Sequence, residues 1–273
     1  LETADIVQIE WWHHPLTMEF MYLYLTKIPT RLIIWSHISG CNYPCISAQF
    51  VHLPDHFIFS TPYSHENPTW NEYELNWIRE NSSLIISSGF EAKEQIMQKQ
   101  IHSGFQVGYI GYLGYSKLHP DYVKYCESAS LIPDITFTIA GDPSFGTELM
   151  VDIDKSPIRE KFNVLGYQKD VSGLLSTFDV FGYPLNPDHT GTAENALLEA
   201  MAAGVVPVVL NQCSEKYTVK HMVTGLVVST MKEYGSALRW LYLRPDERKI
   251  LGQSASKDIR DNYSVEKTCT DLL

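Results

Sequence analysis

The residues best suited to chemistry lie in the run His189-Thr-Gly-Thr-Ala-Glu-Asn-Ala-Leu-Leu-Glu-Ala-Met-Ala-Ala-Gly-Val-Val-Pro-Val-Val. Pro184 and Pro187 end the segment before it, and Thr190, Gly191 and Thr192 predict a helix start. Thr192 is read as the N-cap, Glu194 as a first-turn carboxylate, and the helix as 192–203, ending at Gly204. A helix N-terminus presents unpaired N–H groups and the positive end of the peptide dipole, which suits a phosphate. Gly191 would let an anion approach the backbone closely. Glu199, two turns in, could point along the helix towards whatever that terminus holds. Local chemistry also describes an ordinary capped helix with a solvated Glu199, and taken alone it favours that.

Other residues invite the same double reading. Lys117, taken alone, reads as an exposed helix-end cation. His37 stands just after an apolar run and, taken alone, reads as a satisfied polar residue at a strand end. Trp11, Trp12, His13 and His14 follow the first apolar run, where a sheet would bind a sugar or pack against neighbouring chain. Tyr112 and Tyr115 could stack on a ring or fill a core, and Asp142 reads as a turn former. Cys41-x3-Cys45 has no second ligand pair at metal spacing, so two free thiols are expected and no metal.

These side chains need a scaffold. Short apolar runs at 5–10, 31–36, 56–60, 83–87, 106–112, 135–140, 162–166, 180–184 and 205–210 predict strands. Their apolar character on both faces is that of buried parallel strands. Helix-length segments at 118–131, 170–178, 192–203, 214–221 and 231–243 fall between several of them, so an α/β parallel sheet with crossovers is expected. Segment 61–82 is broken by Pro62, Asn67, Pro68 and Asn71 and reads as a long loop holding one helix.

Composition bounds the function. The chain has 273 residues, 44% hydrophobic and 19% charged, enough apolar material for real cores. Lys plus Arg is 21 against 32 Asp plus Glu, a formal charge of −11, which disfavours a nucleic-acid backbone as partner. Five scattered cysteines do not make a disulfide framework. No run reaches the roughly 18 apolar residues of a membrane span. The chain opens at Leu1 and enters a strand-like run almost at once, so a truncated N-terminal domain is expected.

Glu199-Ala-Met-Ala-Ala-Gly204-Val-Val-Pro207-Val-Val closely resembles the signature of family 4 retaining glycosyltransferases. Tyr109-Ile-Gly111-Tyr-Leu-Gly-Tyr-Ser-Lys117 is similar to the family's first donor-domain strand with its phosphate-contacting Lys. Phe137-Thr-Ile-Ala-Gly141-Asp142 resembles the next strand and turn, and Val164-Leu-Gly166-Tyr167 the loop whose backbone meets the base. Phe178-Asp-Val-Phe-Gly-Tyr-Pro184 precedes the signature helix as in the family, and Tyr263-Ser-Val-Glu-Lys is similar to its closing segment. The resemblance covers most of 104–273. Over 1–103 it rests on Asp5-Ile-Val and Leu32-Ile-Ile-Trp-Ser-His37, where a cleft-facing His is matched by His37. The sequence departs from the family twice. The first Glu of its E-x7-E pair falls on Gly191, and its phosphate-binding Arg falls on Tyr112. Glu194 is no direct substitute, being five residues and about 140° round a helix from Glu199.

The resemblance implies the GT-B fold: two Rossmann-like parallel-sheet domains facing across a cleft. They would be a partial acceptor-side domain at 1–103 and a donor domain at 104–262, followed by a C-terminal segment at 263–273. It implies transfer of a sugar from a UDP- or GDP-sugar to a glycan or lipid-linked acceptor, with retention and without metal or other cofactor. His37, Lys117 and Glu199 would carry the chemistry. Gly111, Tyr112, Gly141, Gly166, Tyr167, Gly191, Thr192 and Glu194 would join Lys117 and Glu199 at the donor. A cytoplasmic location, with peripheral association at the inner membrane face, completes the expectation. The competing readings are a nucleotide-sugar epimerase or hydrolase on the same scaffold, and a non-catalytic nucleotide- or sugar-binding module.

Overall fold

A computed structural model of the chain describes residues 4–86 and 100–273. Two compact units separate in it. One holds the described residues of Leu1–Ser88 with Thr190–Ala193 and Thr268–Leu273; the other holds those of Gly89–His189 with Glu194–Lys267.

The first unit contains a four-stranded parallel sheet. Its strands are β1 (Ile6–Trp11), β2 (Arg31–Ser36), β3 (His56–Phe59) and β4 (Ser82–Leu84), in that spatial order. Helices α1 (Pro15–Leu23), α2 (Ala48–Val51) and α3 (Glu72–Asn81) fall between them in sequence. Pro15 opens α1, with the His14 ring accepting from the Leu16 N–H at 3.3 Å. A capping box opens α3: Asn71 accepts from the Glu74 N–H, and Glu74 accepts from the Asn71 N–H. This is the one helix expected in 61–82. Trp11, Met21, Ile34, Phe57, Phe59 and Ile78 form the centre of the core. The predicted strand 83–87 is met only at Ser83 and Leu84, in β4; residues 85 and 86 lie past its end, and residue 87 lies outside the described residues.

The second unit carries six parallel strands: β5 (Phe105–Ile110), β6 (Ile135–Ala140), β7 (Phe162–Gly166), β8 (Val180–Tyr183), β9 (Val206–Leu210) and β10 (Leu226–Val228). Their order is β10-β9-β8-β5-β6-β7. The chain winds outwards from β5 to β7, then returns to place β8 on the other side of β5. That reversal is a topological switch point, where open α/β sheets bind ligands beyond the carboxyl ends of the strands. Every residue of β8 and β9 is buried, as their apolar runs predict. The helices of this half of the chain are α4 (Tyr122–Glu127), α5 (Thr147–Lys155), α6 (Val171–Leu175), α7 (Asn195–Ala202), α8 (Glu215–Thr218), α9 (Met231–Leu243), α10 (Pro245–Asn262) and α11 (Val265–Leu272).

The contact that fixes α7 is made by α10, a helix that the apolar pattern does not mark. Gly204 ends α7 at φ +76°, and its carbonyl lies so near Gly252 of α10 that a Cβ there would be 2.2 Å away. Ser256, one turn further along α10, donates to the Ala202 carbonyl at 2.6 Å. The buried face of α10 is built from Leu251, Gly252, Ala255, Ser256 and Ile259. Small residues allow this close approach, and they leave little apolar pattern in the sequence.

Candidate functional site

At the carboxyl ends of β5, β6 and β7 stand Gly111, Gly141 and Gly166. The Gly111 N–H donates to the Ala140 carbonyl and the Gly141 N–H to the Gly166 carbonyl, both at 3.0 Å. A Cβ on Gly141 would sit 2.1 Å from the Gly111 carbonyl oxygen, so the two turns close on each other only with glycine there. Tyr112 is half exposed. Its ring lies 5.0 Å from that of exposed Phe145, and its carbonyl accepts from the Tyr109 hydroxyl at 2.7 Å. Tyr167 is exposed beside Gly166. Tyr115 instead bonds Asp152 on α5, and burial with that carboxylate drives its phenol pKa well up. It is a structural tie. Asp142 caps a short turn by accepting from the Ser144 N–H at 2.9 Å, the turn-forming role expected of it.

The loop after Gly111 is pinned to the loop after β8. The His119 N–H donates to the Pro184 carbonyl at 3.1 Å, and the Asn186 N–H donates to the Lys117 carbonyl at 2.8 Å. The Asn186 amide donates to the Tyr115 carbonyl at 2.6 Å. These bonds hold Lys117 across the β5–β8 switch point. Its ammonium donates to both carboxylate oxygens of Glu194, the residue immediately before α7. Tyr183, the last residue of β8, donates its hydroxyl to Glu194 at 2.9 Å. His189 lies on the same carboxylate, Nδ1 to Oε1 at 3.7 Å, and its Nε2 reaches the two Glu215 oxygens at 3.0 and 3.1 Å.

Two cations and two carboxylates therefore alternate in one cluster, with Glu194, His189 and Glu215 buried. Burial would raise the Glu194 pKa, but the Lys117 and His189 charges outweigh it and hold the carboxyl below its ordinary value. Burial would also lower the His189 pKa. Hydrogen bonds to Cys213 and Glu215, with the Glu215 charge, reverse this and push it up to about 9. Glu199 differs from all of these. It is half-buried on α7, its carboxylate meets no hydrogen-bond partner among the described residues, and burial alone raises its pKa.

His189, Cys213 and Glu215 bring three donor atoms within 4.8 Å of one another, all buried. They satisfy protein partners instead of forming an open cation cage. The Cys213 thiol donates to the Pro187 carbonyl at 3.2 Å, and the imidazole is held by Glu215.

The model of a protein family described as glycosyl transferases group 1 matches residues 92–258, more than half of the chain. The chain belongs to that family. Its fold is GT-B, as the family's signature implies. HepE of Anabaena, solved with UDP-glucose, is similar over 98% of this chain and 77% of its own, at 15% identity and a TM-score of 0.76. A glycosyltransferase from Rickettsia africae covers the same 98%, and 75% of its own chain, at 14% identity and a TM-score of 0.76. Sucrose-phosphate synthase from Thermosynechococcus elongatus covers 98% and 72%, at 14% identity and a TM-score of 0.74. No curated protein sequence matches the chain.

Within this glycosyltransferase the expected site residues fall into two groups. Gly111, Tyr112, Lys117, Gly141, Gly166, Tyr167, Glu194 and Glu199 belong to the second unit. His37, Gly191 and Thr192 belong to the first. The predicted helix start needs correction. Thr192 is not the N-cap of α7: its hydroxyl donates to the His37 carbonyl at 3.2 Å, and the Ser39 N–H donates to the Thr190 carbonyl at 3.2 Å. These bonds hold 190–193 outside the helix, which begins at Asn195 with Glu194 at its cap. The unpaired N–H groups of the first turn are those of Asn195, Ala196 and Leu197, not those of Gly191 and Thr192. Glu194 is thus the cap residue rather than a first-turn carboxylate, and it already holds Lys117.

In the first unit His37 follows β2. Its Nε2 bonds the Glu10 carboxylate, and its ring stacks on Trp12 with centroids 4.7 Å apart. Trp11 is a core residue, while Trp12 is 65% exposed. Cys41 and Cys45 are free thiols bonded to the Tyr63 and Cys41 carbonyls. Nothing in the local sequence marks His189, Tyr183 or Glu215 as members of the site. The signal available was placement, since each lies near the carboxyl end of β8 or β9, two adjacent buried strands.

No helix among the described residues is long and apolar enough to cross a membrane.

Proposed function

We propose that this family member transfers a sugar from a nucleoside-diphosphate sugar to a glycan or lipid-linked acceptor, with retention at the anomeric carbon. The observation that carries the reading is the meeting of Lys117, Glu194 and the start of α7 at the β5–β8 switch point, with the Glu199 carboxylate, unpartnered among the described residues, one helix turn further on. A diphosphate at that switch point would meet the Lys117 ammonium and the N–H groups of Asn195, Ala196 and Leu197. Both favour the negative charge that grows on the leaving phosphate as the glycosidic bond breaks. Glu199, desolvated and unpaired, offers a carboxylate to the vicinal hydroxyls of the ribose. Tyr112, Phe145 and Tyr167 give exposed aromatic surface near the glycine turns for the base. UDP is the favoured nucleotide, because HepE was solved with UDP-glucose and with UDP, and GDP is its competitor.

In this reading no protein nucleophile attacks the sugar. The acceptor hydroxyl bonds to the anomeric carbon on the face the diphosphate leaves, and its proton passes to the departing phosphate oxygen. In the first unit, His37 and the exposed face of Trp12 are assigned to the acceptor, where an indole stacks well on a sugar ring. Attachment at the inner membrane face fits a lipid-linked acceptor.

Calorimetric titration of UDP, GDP and ADP tests the donor assignment, with Lys117→Ala and Glu199→Ala as controls. One nucleotide should bind, and both substitutions should weaken it. Nucleotide release that requires an acceptor identifies a transferase, whereas release without one would make the chain a nucleotide-sugar hydrolase. If no nucleotide binds, the donor assignment is wrong.

A further inference from the structure

The cluster at the switch point contains more charge than a phosphate site needs. Lys117 donates to both oxygens of Glu194, an ion pair that by itself would cancel the positive charge offered to a diphosphate. Glu194 is not left to Lys117 alone. Its Oε1 lies 3.7 Å from His189 Nδ1, and its Oε2 accepts from Tyr183. His189 is in turn fixed by Glu215, which is fully buried and also accepts from the Ser214 hydroxyl at 3.3 Å. Of the four charged residues only Lys117 has appreciable exposure, at 23% of its side chain. The three buried members form a pedestal, and Lys117 is the member that can meet a ligand.

We propose that His189, held by Glu215, is a positioning residue for diphosphate recognition: it acts as a second cation on the Glu194 carboxylate, so that Glu194 fixes Lys117 in place without fully neutralising it. This rests on the donor-site reading above for its functional consequence, though the ion cluster itself does not depend on a ligand. Without His189 the Glu194 charge falls wholly on Lys117. The ammonium is then bound more tightly by its carboxylate and presents less field to an incoming anion. Glu215 loses the imidazole and keeps the Ser214 hydroxyl.

The test uses the full chain. Lys117 acetylation by limiting acetic anhydride is followed by mass spectrometry in the wild type, His189→Gln and Glu194→Gln, with circular dichroism confirming the fold. Expected is slower acetylation of Lys117 in His189→Gln, by severalfold, and faster acetylation in Glu194→Gln, with the other lysines unchanged. In parallel, UDP and uridine are titrated into wild type and His189→Gln. UDP affinity should fall about tenfold in the variant while uridine affinity stays the same, because only UDP carries the diphosphate. An equal loss for both ligands, or Lys117 labelling that is unchanged or faster in folded His189→Gln, overturns the proposal. Stoichiometric metal in the purified wild type, lost in His189→Gln, overturns it too. If His189→Gln does not fold, His189→Asn carries the same expectations, and failure of both to fold makes His189 a core residue only. A wild type that binds no UDP defeats the donor reading, while the labelling still decides the role of His189.

Discussion

Lys117 and Glu194 lie 77 positions apart in sequence, and the ammonium of one donates to both carboxylate oxygens of the other. The pair is formed by two loops that leave neighbouring strands, β5 and β8, and are bonded to each other through the Lys117 and Asn186 backbones. Removing Lys117 therefore does two things. Lys117→Ala should weaken nucleoside-diphosphate binding tenfold or more, since a charge-assisted hydrogen bond contributes roughly 1.5–3 kcal/mol. It should also lower the urea midpoint, because Glu194 loses one of its cations while buried. Calorimetry and urea titration separate the two effects, and Lys117→Arg should recover most of the stability.

Glu199 is predicted to behave in the opposite way. Its carboxylate is half desolvated and meets no partner among the described residues, so Glu199→Gln should leave stability unchanged or raise it by about 0.5 kcal/mol. Nucleotide affinity should fall by about one to two orders of magnitude as charged hydrogen bonds to the ribose are lost. A variant that is both less stable and unchanged in binding would show Glu199 to be a structural residue.

His189 makes stability depend on pH in a definite direction. Its folded-state pKa of about 9 stands above the ordinary 6.5. Its contribution is complete below about 6.5 and is lost as pH rises through about 9. Glu194, held below the ordinary carboxyl value, contributes above 4.5 and loses its contribution as pH falls through its depressed pKa. Urea midpoints of the wild type should decline from pH 6.5 to 9.5, and those of His189→Gln should decline much less over that range. Parallel curves would remove His189 as the cause.

Gly204 provides a test of the scaffold apart from the chemistry. Its φ of +76° costs a side chain about 1–2 kcal/mol, and the α7–α10 contact is built around it. Gly204→Ala should lower the thermal midpoint by several degrees. If α7 is then displaced, UDP affinity falls as well.

The proposed reaction assigns the diphosphate charge to Lys117 and to backbone N–H groups. Transfer activity should then survive exhaustive chelation with EDTA. Loss of activity on chelation, with recovery on adding a divalent cation, would sink that assignment.

How far the sequence could be read depended on the distance over which each feature is held. The bounds of β2, β6 and β7 agree with the apolar runs at 31–36, 135–140 and 162–166, because a strand buried on both faces marks itself continuously. Even β9 reads clearly, although Pro207 deprives that inner strand of an N–H. β10 has three residues and left too short a run. α10 leaves no apolar stripe in the sequence because its packing face uses Gly252, Ala255 and Ser256. The start of α7 was misplaced by three residues, since the bonds that keep Thr190 and Thr192 out of the helix come from Ser39 and His37. Gly111, Lys117 and Glu199 stood out only through the family resemblance. Nothing local pointed to His189 and Glu215, which are 26 residues apart and look like solvent-facing polar residues until β8 and β9 are placed side by side.

The strand order β10-β9-β8-β5-β6-β7 also governs when this site can come into being. As the polypeptide emerges, β5, β6 and β7 can pair while the ammonium of Lys117 still has no counter-ion. Only when β8 crosses back and zips onto β5 do Tyr183, His189 and Glu194 arrive, and Glu215 follows β9. Closing so long a loop is slow, because chain entropy opposes it before any contact rewards it. The ionic cluster should therefore be among the last features to mature during folding, and a nascent chain stopped before β8 would have a half-sheet but no site.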